Sequence, residues 1–308
     1  MIPAKKSLGQ HFLRDPNITD KIVRLCGDLS ALNIVEIGPG PGALTRSILA
    51  AKPLSYTGIE KDERCLPLLQ ALGAQHAAPS SFLHADALKT PLTELTPAPR
   101  AIIANLPYNV GTEMLIHWLH DISGAMGGQE SDNFSARERL GSLRGAVGAA
   151  QGQSKDPTEH GEARSVGESE ARGSIPPYHY MTLMFQKEVV NRLVAQPSTK
   201  DYGRLTILTQ WLCEAEALFD LPPSAFSPPP KVTSTVVKLT PRANPAPCIL
   251  PNLEKLTGAA FGQRRKMLRV SLKPLGGEAL LEKAGITPTL RAENLTVAEF
   301  VKLANLLT

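Results

Sequence analysis

Residues 105 to 109, NLPYN, place two side-chain amides, a proline and an aromatic ring directly after a buried apolar run. The Asn105 side-chain oxygen and the Leu106 carbonyl are both hydrogen-bond acceptors. Pro107 fixes a turn, and Tyr108 offers a ring for stacking. This set suits a planar base with an exocyclic amine, because two acceptors can hold the two N–H bonds of that amine. A plain turn without a ligand is the alternative.

A glycine-rich turn, GPGPG at positions 38 to 42, lies between a predicted strand and a predicted helix. Glycine at positions such as Gly38 and Gly40 lets the backbone pass close to a ligand, although a plain tight turn needs it too. Together with Ala43, these glycines also satisfy the dinucleotide pattern GxGxxG/A. Glu60 ends the next predicted strand, where a carboxylate can accept the ribose hydroxyls of a nucleoside. These features leave NAD and S-adenosylmethionine both open.

Two further carboxylates favour S-adenosylmethionine. Glu36 precedes the glycine turn, where it would repel a pyrophosphate but suits a sulfonium and an ammonium. Asp86 follows the third predicted strand and can accept from the exocyclic amine of a bound adenine, although a helix N-cap is an equally good role for it. With a methyl sulfonium at the strand tips, NLPYN would aim the lone pair of an adenine amine at the methyl carbon, mainly by positioning and electrostatics.

The elements that must position these residues alternate between strands and helices. Strands are predicted at 33–37, 55–60, 81–86, 101–105 and 178–186, and two more strand-like runs lie between 216 and 241. Such alternation predicts a parallel sheet with helices on both faces. The fold class is therefore α/β, with a mostly parallel seven-stranded sheet. An S-adenosylmethionine site at the strand tips would make it a Rossmann-like class I methyltransferase.

Composition divides the chain into parts. We assign 1–242 to the methyltransferase domain and 243–308, whose pattern is helical, to a small all-helical C-terminal domain. Within the first of these domains, 123–175 is rich in Gly, Ser, Ala and charge and nearly free of aromatics. Such a segment buries too little apolar area to offset its ordering entropy, so we predict a mostly disordered insertion with a possible short helix at 136–143.

The overall composition restricts the function classes. The chain has 308 residues, 42% of them hydrophobic, and a formal charge of +4, which permits a nucleic-acid partner without requiring one. We expect no membrane span and no secretory signal, because long apolar runs are lacking, and hence a cytoplasmic protein. The four cysteines are far apart, which favours reduced thiols. His117 and His120 share a helix face without a third ligand, so we expect no metal site.

Two other regions suggest contacts with RNA. Phe226 lies in a proline-stiffened loop and could stack on a target base, with a core phenylalanine as the alternative. A predicted helix in FGQRRKMLRVSL would present its cations to phosphates, with a solvated face as the alternative. The cations of that helix are Arg264, Arg265, Lys266 and Arg269. Lys5, Lys6 and Lys231 could add to the same surface.

Nearly the whole chain outside the insertion resembles the bacterial type of the small-subunit (16S) rRNA adenine N6,N6-dimethyltransferase family. The resemblance rests on motifs that occur in one order: KSLGQHFL, VEIGPGPGALT, GIEKD, ADAL, NLPYNV, MFQKEVVNRL, YGRL, AFSPPPKVTSTVVKL and FGQRRKMLR. It implies S-adenosylmethionine as cofactor and dimethylation of two adjacent adenosines in a hairpin loop near the 3′ end of 16S rRNA. The implied partner is the immature small ribosomal subunit, and we expect a monomer that binds no membrane.

The resemblance also implies roles for individual residues. Cofactor contacts fall on His11, Leu13, Gly38, Glu60, Asp86 and Asn105. The target adenine would be lined by Asn105, Leu106, Pro107, Tyr108 and Phe226. His11 stands where many relatives have Asn, and Ala85 where many have Gly, so the His11 contact is expected to differ.

Two other functions remain open on the sequence. One is methylation of an adenine in large-subunit rRNA, which the proline-rich loop and the extended C-terminal tail disfavour. The other is a non-catalytic RNA-binding or assembly factor, which the intact Glu60 and NLPY disfavour as a sole role.

Overall fold

The computed structural model describes residues 2–5, 8–127 and 176–307. The strands are β1 (Phe12–Leu13), β2 (Asn33–Ile37), β3 (Ser55–Glu60), β4 (Ser80–His84), β5 (Arg100–Asn105), β6 (Tyr180–Gln186), β7 (Cys213–Leu221), β8 (Phe226–Ser227) and β9 (Ser234–Pro241). The helices up to the last strand are α1 (Pro16–Cys26), α2 (Ala43–Ala50), α3 (Leu66–Gly73), α4 (Leu92–Leu95), α5 (Gly111–Gly127), α6 (Lys187–Leu193) and α7 (Arg204–Leu212). Those after it are α8 (Leu250–Gly262), α9 (Leu268–Ser271), α10 (Gly277–Lys283) and α11 (Val297–Ala304).

Seven strands form one sheet in the order β4-β3-β2-β5-β6-β9-β7. The neighbours from β4 to β6 are parallel, whereas β9 runs antiparallel to both β6 and β7. The predicted mostly parallel seven-stranded sheet is therefore confirmed. Every residue of β2 is buried, as expected for a strand covered by helices on both faces.

The strand order creates a crevice at one edge of the sheet. From β2 the chain adds β3 and β4 on one side and then crosses to β5 on the other side. In open α/β sheets, ligands bind outside the carboxyl ends of the strands where the order reverses in this way. The residues that follow β2, β3 and β5 therefore meet at one place.

The buried apolar side chains form two clusters on the two sides of the sheet. One cluster joins the N-terminal helices to one face of the sheet, and it includes Ile22 and Leu29. The other joins the opposite face to the C-terminal helices, for example Leu183 of β6 with Leu256 of α8. After residue 242 the described chain is helical, apart from one isolated bridge between Met267 and Arg291. The helical character of this part is confirmed, and the boundary at 243 stays a prediction.

Two local expectations need correction. Helix α5 continues to Gly127, so residues 123–127 are helical and not disordered as predicted. Residues 128–175, including the possible helix at 136–143, lie outside the described residues. The basic cluster is not one helix, because α8 ends at Gly262 and only Arg269 lies in the short helix α9. The structure also contains helix α7, which the sequence analysis did not predict.

The structure adds a short antiparallel pair that the sequence did not indicate. β1 pairs with β8, with Phe12 opposite Ser227 and Leu13 opposite Phe226. Each strand has two residues, too few to give a periodic pattern. The pair ties the N-terminal residues to the proline-rich loop beside the crevice. None of the described helices is long and apolar enough to cross a membrane.

Candidate active site

A cavity lies at the carboxyl ends of β2, β3 and β5. It is lined by most of the residues that the sequence analysis singled out, namely His11, Gly38, Gly40, Glu60, Asp86, Asn105, Leu106, Pro107 and Tyr108. Residues 8–12 form another part of its wall. The parallel sheet therefore brings together side chains that are up to about a hundred positions apart in the sequence.

The glycine turn has the open backbone that a ligand cradle needs. Gly38 and Gly40 have φ values of 65° and 55°, in the left-handed region that favours glycine. A Cβ on Gly38 would meet nothing within 4 Å, so open space adjoins this residue. A Cβ on Gly40 would come within 2.7 Å of the Phe12 ring, which covers that glycine.

Glu60 joins β3 to this turn. One carboxylate oxygen accepts from the Gly40 N–H at 2.8 Å, and the other accepts from the Asp62 N–H at 2.7 Å. Burial raises the pKa of Glu60 above its ordinary value, although these two N–H donors favour the charged form. Each carboxylate oxygen can accept two hydrogen bonds, so Glu60 retains acceptor capacity toward the cavity that it lines.

Asp86 combines both roles considered for it. Its carboxylate caps a short 3₁₀ turn by accepting from the Leu88 N–H at 3.2 Å, and it also lines the cavity. Lys61 lies 2.7 Å from its other oxygen and holds the pKa of Asp86 below its usual range. The carboxylate is therefore charged at neutral pH and can accept from a donor on a ligand.

The Asn105 side chain has a defined orientation. Its Nδ2 donates to the His11 carbonyl at 2.8 Å, which identifies the nitrogen because a carbonyl can only accept. Its Oδ1 remains available to a donor in the cavity. Leu106 is 2% exposed, so its side chain packs in the core and only its main chain can face a ligand. The Pro107 carbonyl accepts from the Gly111 N–H at 2.9 Å and leads the chain into α5.

His11 and Tyr108 form a stacked pair at the edge of the cavity. Their ring centroids are 5.3 Å apart with an interplanar angle of 27°. The His11 Nδ1 lies 2.8 Å from the Pro228 carbonyl and must donate to it. The Tyr108 hydroxyl bonds to the Ser234 hydroxyl, and burial raises the pKa of Tyr108, so the phenol is neutral. The ring is therefore anchored at both its face and its tip.

Glu36 lies beside this cavity and lines a smaller one together with Gly38 and Asn105. One of its oxygens accepts from Tyr56 at 2.6 Å and from Thr45 at 2.8 Å. Burial raises the pKa of Glu36 to about 7, so it is partly protonated at neutral pH. This weakens the argument that a fixed negative charge before the turn selects a cationic ligand.

Two predicted site residues are not brought to the main cavity. Phe226 is 2% exposed and packs in a core cluster, as the alternative reading of a core phenylalanine expected. Leu13 is 5% exposed in the same cluster and reaches only the smaller cavity. Pairing between β1 and β8 places both side chains in the core, so a direct contact with a ligand in the main cavity is not supported for either residue.

The predicted RNA-binding cations lie in and after the turn that follows α8. Arg265, Lys266 and Arg269 are exposed. Arg264 differs, since its guanidinium pairs with Glu293 at 2.9 Å and donates to the Thr199 carbonyl at 3.1 Å. Arg264 therefore has a structural role in addition to any contact with RNA. Lys231 is exposed, and Lys6 lies outside the described residues.

Sequence reasoning missed Asp62 and Gln10. Both occur in motifs that were quoted, GIEKD and KSLGQHFL, yet neither received a role. The sequence signal for Asp62 was that it is a second carboxylate two positions after Glu60.

Comparison with known proteins places the chain in a family. Residues 1–308 match the family described as ribosomal RNA adenine dimethylase. The chain belongs to this family. Proteins from Agrobacterium fabrum and Sinorhizobium medicae, both named ribosomal RNA small subunit methyltransferase A, are each 47% identical over 99% of this chain and 94% and 93% of their own length. The predicted resemblance and the predicted enzyme class, an S-adenosylmethionine-dependent adenine dimethyltransferase, are thereby confirmed.

Solved structures agree on the fold. A dimethyladenosine transferase from Plasmodium falciparum superimposes with a TM-score of 0.69 and 21% identity, over 95% of this chain and 96% of that one. The 23S rRNA methyltransferase ErmE gives a TM-score of 0.60 and 22% identity, over 96% of this chain and 99% of that one. At these identities the comparison establishes the Rossmann-like class I methyltransferase fold of this family member.

Proposed function

We propose that this chain transfers methyl groups from S-adenosylmethionine to N6 of two adjacent adenosines in a hairpin loop near the 3′ end of 16S rRNA, giving N6,N6-dimethyladenosines during small-subunit assembly. The orientation of Asn105 is the observation that carries this proposal. Its amide nitrogen is tied to the His11 carbonyl, so its oxygen is presented as an acceptor at the tip of β5. The names of the 47% identical relatives support the small subunit as the target.

The cavity fits S-adenosylmethionine. Open space adjoins Gly38, the carboxylate of Glu60 retains acceptor capacity for two ribose hydroxyls, and Asp86 offers an acceptor for the adenine amine. His11 and the main chain of residues 38–40 would complete the contacts with the cofactor. When bound, the cofactor supplies an electrophilic methyl group on a sulfonium.

The chemistry that remains for the protein is to hold the target amine. The N6 lone pair of adenine is delocalised into the ring, which makes it a poor nucleophile. The Asn105 oxygen and the Leu106 carbonyl would accept the two N–H bonds, which favours a pyramidal nitrogen with a localised lone pair. Tyr108, anchored by His11 and Ser234, offers its ring to the base. No strong base is required, because the nitrogen becomes a cation when it takes the methyl group, and this cation is acidic and releases its proton readily.

Outside the active site, we assign recognition of the RNA to contacts between cationic side chains and phosphates rather than to contacts with bases. A loop presents bases that can be splayed into a pocket at little unstacking cost. We assign the phosphate contacts to Arg265, Lys266 and Arg269, in the part of the chain from 243 to 308, with Arg264 bracing the turn. We expect a monomeric enzyme that acts in the cytoplasm on the immature small subunit.

The direct test is transfer of labelled methyl groups from S-adenosylmethionine to immature small subunits, followed by mapping of the modified nucleotides. The proposal expects two adjacent dimethylated adenosines near the 3′ end of 16S rRNA. No incorporation into adenosine would refute it. Incorporation into large-subunit rRNA would instead support the alternative substrate, and an Asn105→Ala chain that retains its full biological effect would support a non-catalytic factor.

A further inference from the structure

Asp62 is a buried carboxylate near the cavity without a role in the proposed chemistry. Its side chain is 0% exposed. Arg64 donates to both of its oxygens, from Nε at 2.8 Å and from Nη2 at 2.6 Å. These contacts, with the Arg64 bonds as the largest cause, hold the pKa of Asp62 well below its usual range, so the carboxylate is charged at all working pH values.

Two further donors on Asp62 come from the N-terminal arm, which we define as residues 2–5 and 8–13. Lys5 Nζ lies 3.3 Å from one carboxylate oxygen, and Gln10 Nε2 lies 3.2 Å from the other. The arm is also closed on itself, because the Lys5 N–H donates to the Gln10 side-chain oxygen at 2.8 Å. Arg64 adds a bond to the Pro3 carbonyl at 3.1 Å. Asp62 and Arg64 together therefore hold the start of the arm.

The arm is a wall of the cavity. Residues 8–12 line it, and the Phe12 ring covers Gly40 in the glycine turn. The His11 carbonyl receives the Asn105 amide that orients the acceptor for the target base. The position of the arm therefore affects both halves of the site.

Asp62 also acts on Glu60 through its main chain. The Asp62 N–H donates to a Glu60 carboxylate oxygen at 2.7 Å. One residue thus orients the carboxylate assigned to the ribose and anchors the arm that lines the same cavity.

We infer that Asp62 is a positioning residue for the methyl donor: its carboxylate anchors the N-terminal arm, through Lys5 and Gln10, as the wall that closes the S-adenosylmethionine site. This inference rests on the proposed function, since it names the cofactor. It assigns no catalytic contact to Asp62. If the arm were held only by the β1–β8 pair, removing the Lys5 and Gln10 side chains would leave the site unchanged.

The test separates the arm from the rest of the Asp62 cluster. A Lys5→Ala, Gln10→Ala double variant removes both arm donors and keeps the Asp62–Arg64 pair and the Asp62 N–H bond to Glu60. Asp62→Asn is the second variant. Asp28→Asn is the matched control, because Asp28 is exposed and its carboxylate accepts only from the nearby Ser30.

Two measurements on the full chain decide the outcome. Hydrogen exchange without ligand should be about tenfold faster in residues 8–13 of the double variant and of Asp62→Asn, with unchanged exchange in β5. Calorimetric titration should show the Kd for S-adenosylmethionine rising about tenfold in both, which corresponds to about 1.4 kcal/mol. The control should match the wild type in both measurements.

Unchanged exchange in the arm together with an unchanged Kd in the double variant would overturn the inference. This failure is distinct from failure of the proposed function. A wild-type chain that binds no S-adenosylmethionine would refute the proposed function, whereas the exchange measurement without ligand still decides whether Asp62 anchors the arm.

Discussion

The strand tips and the turn after α8 contrast in how their residues are positioned. Glu60 and Asn105 end β3 and β5, the two parallel strands on either side of β2, and each is fixed by a hydrogen bond to the backbone of another segment. Arg265 and Lys266 are exposed in a turn. The sheet therefore gives the residues of the proposed chemistry a defined geometry, whereas the proposed RNA contacts depend on charge and tolerate looser placement.

The largest effect is expected where the geometry is most defined. Asn105→Ala removes the acceptor proposed for the target amine and the bond to the His11 carbonyl. We expect kcat for methyl transfer to fall about 10²- to 10³-fold, as for loss of one preorganised polar group in an active site. The measurement is single-turnover transfer to immature small subunits.

The control for that variant is Asn305→Ala. Asn305 likewise donates its amide to a carbonyl, that of Pro247, at 2.7 Å, but it lies in the C-terminal part. Its activity should equal that of the wild type. Equal loss in both variants would mean that Asn105 acts only through folding.

The next effect is on cofactor binding. Glu60→Gln replaces one carboxylate oxygen by a donor, which must then face the Gly40 N–H or the Asp62 N–H. We expect the Kd for S-adenosylmethionine to rise at least about tenfold. Calorimetry measures it, with Glu214→Gln, an exposed partner of Arg242, as control. An unaltered Kd would remove Glu60 from the proposed site.

The turn after α8 should show the opposite profile. Replacing Arg265, Lys266 and Arg269 by Gln should weaken binding to the small subunit. The slope with which log K for this binding falls against log salt concentration should become less steep by about 2, for about three lost phosphate contacts. The Kd for S-adenosylmethionine should not change. Subunit binding measured from low to moderate salt tests this, and an unchanged slope would place the RNA elsewhere.

Arg264 sharpens the same contrast. Because it pairs with Glu293 and the Thr199 carbonyl, Arg264→Gln should lower the melting temperature by a few degrees. Replacing Arg265, Lys266 or Arg269 singly by Gln should leave the melting temperature within about a degree of that of the wild type. Thermal unfolding of the four single variants distinguishes the bracing residue from the others.

The last prediction concerns the pH dependence of stability through Glu36, and it leaves both parts of the comparison unchanged. Its folded pKa of about 7 exceeds the ordinary 4.5, so the folded state binds the extra proton between these values. The contribution of Glu36 to stability is full below pH 4.5 and is lost as pH rises to about 7, at most about 3 kcal/mol. Glu36→Gln should flatten this part of the curve in denaturant unfolding, and a retained slope would assign it to other groups.

The sequence predicted the elements that follow from local pattern. Strand–helix alternation was enough for the sheet, and motifs at strand ends were enough for Glu60, Asp86 and Asn105. The pairing of β1 with β8 was not predictable, because two short segments more than two hundred positions apart carry no periodic signal. The same long-range pairing buries Phe226 and Leu13, and it explains why neither residue lines the main cavity.

The misplaced basic helix has a related cause. FGQRRKMLR contains good helix formers, and propensity alone favours a continuous helix. The chain leaves the helix after Gly262, and the bond between the Leu268 N–H and the Leu290 carbonyl, together with the Arg264–Glu293 pair, fixes a turn instead. Tertiary contacts with residues that come later in the chain decided the local structure, which a reading of the local pattern does not include.

The most direct measurement is a crystal structure of the chain with S-adenosylhomocysteine and adenosine bound. We expect adenosine N6 to lie within hydrogen-bond distance of both the Asn105 Oδ1 and the Leu106 carbonyl. The adenine ring should lie against Tyr108, and N6 should face the sulfur of S-adenosylhomocysteine. A complex in which that corner is filled by protein side chains, or in which the base binds away from Asn105, would contradict it.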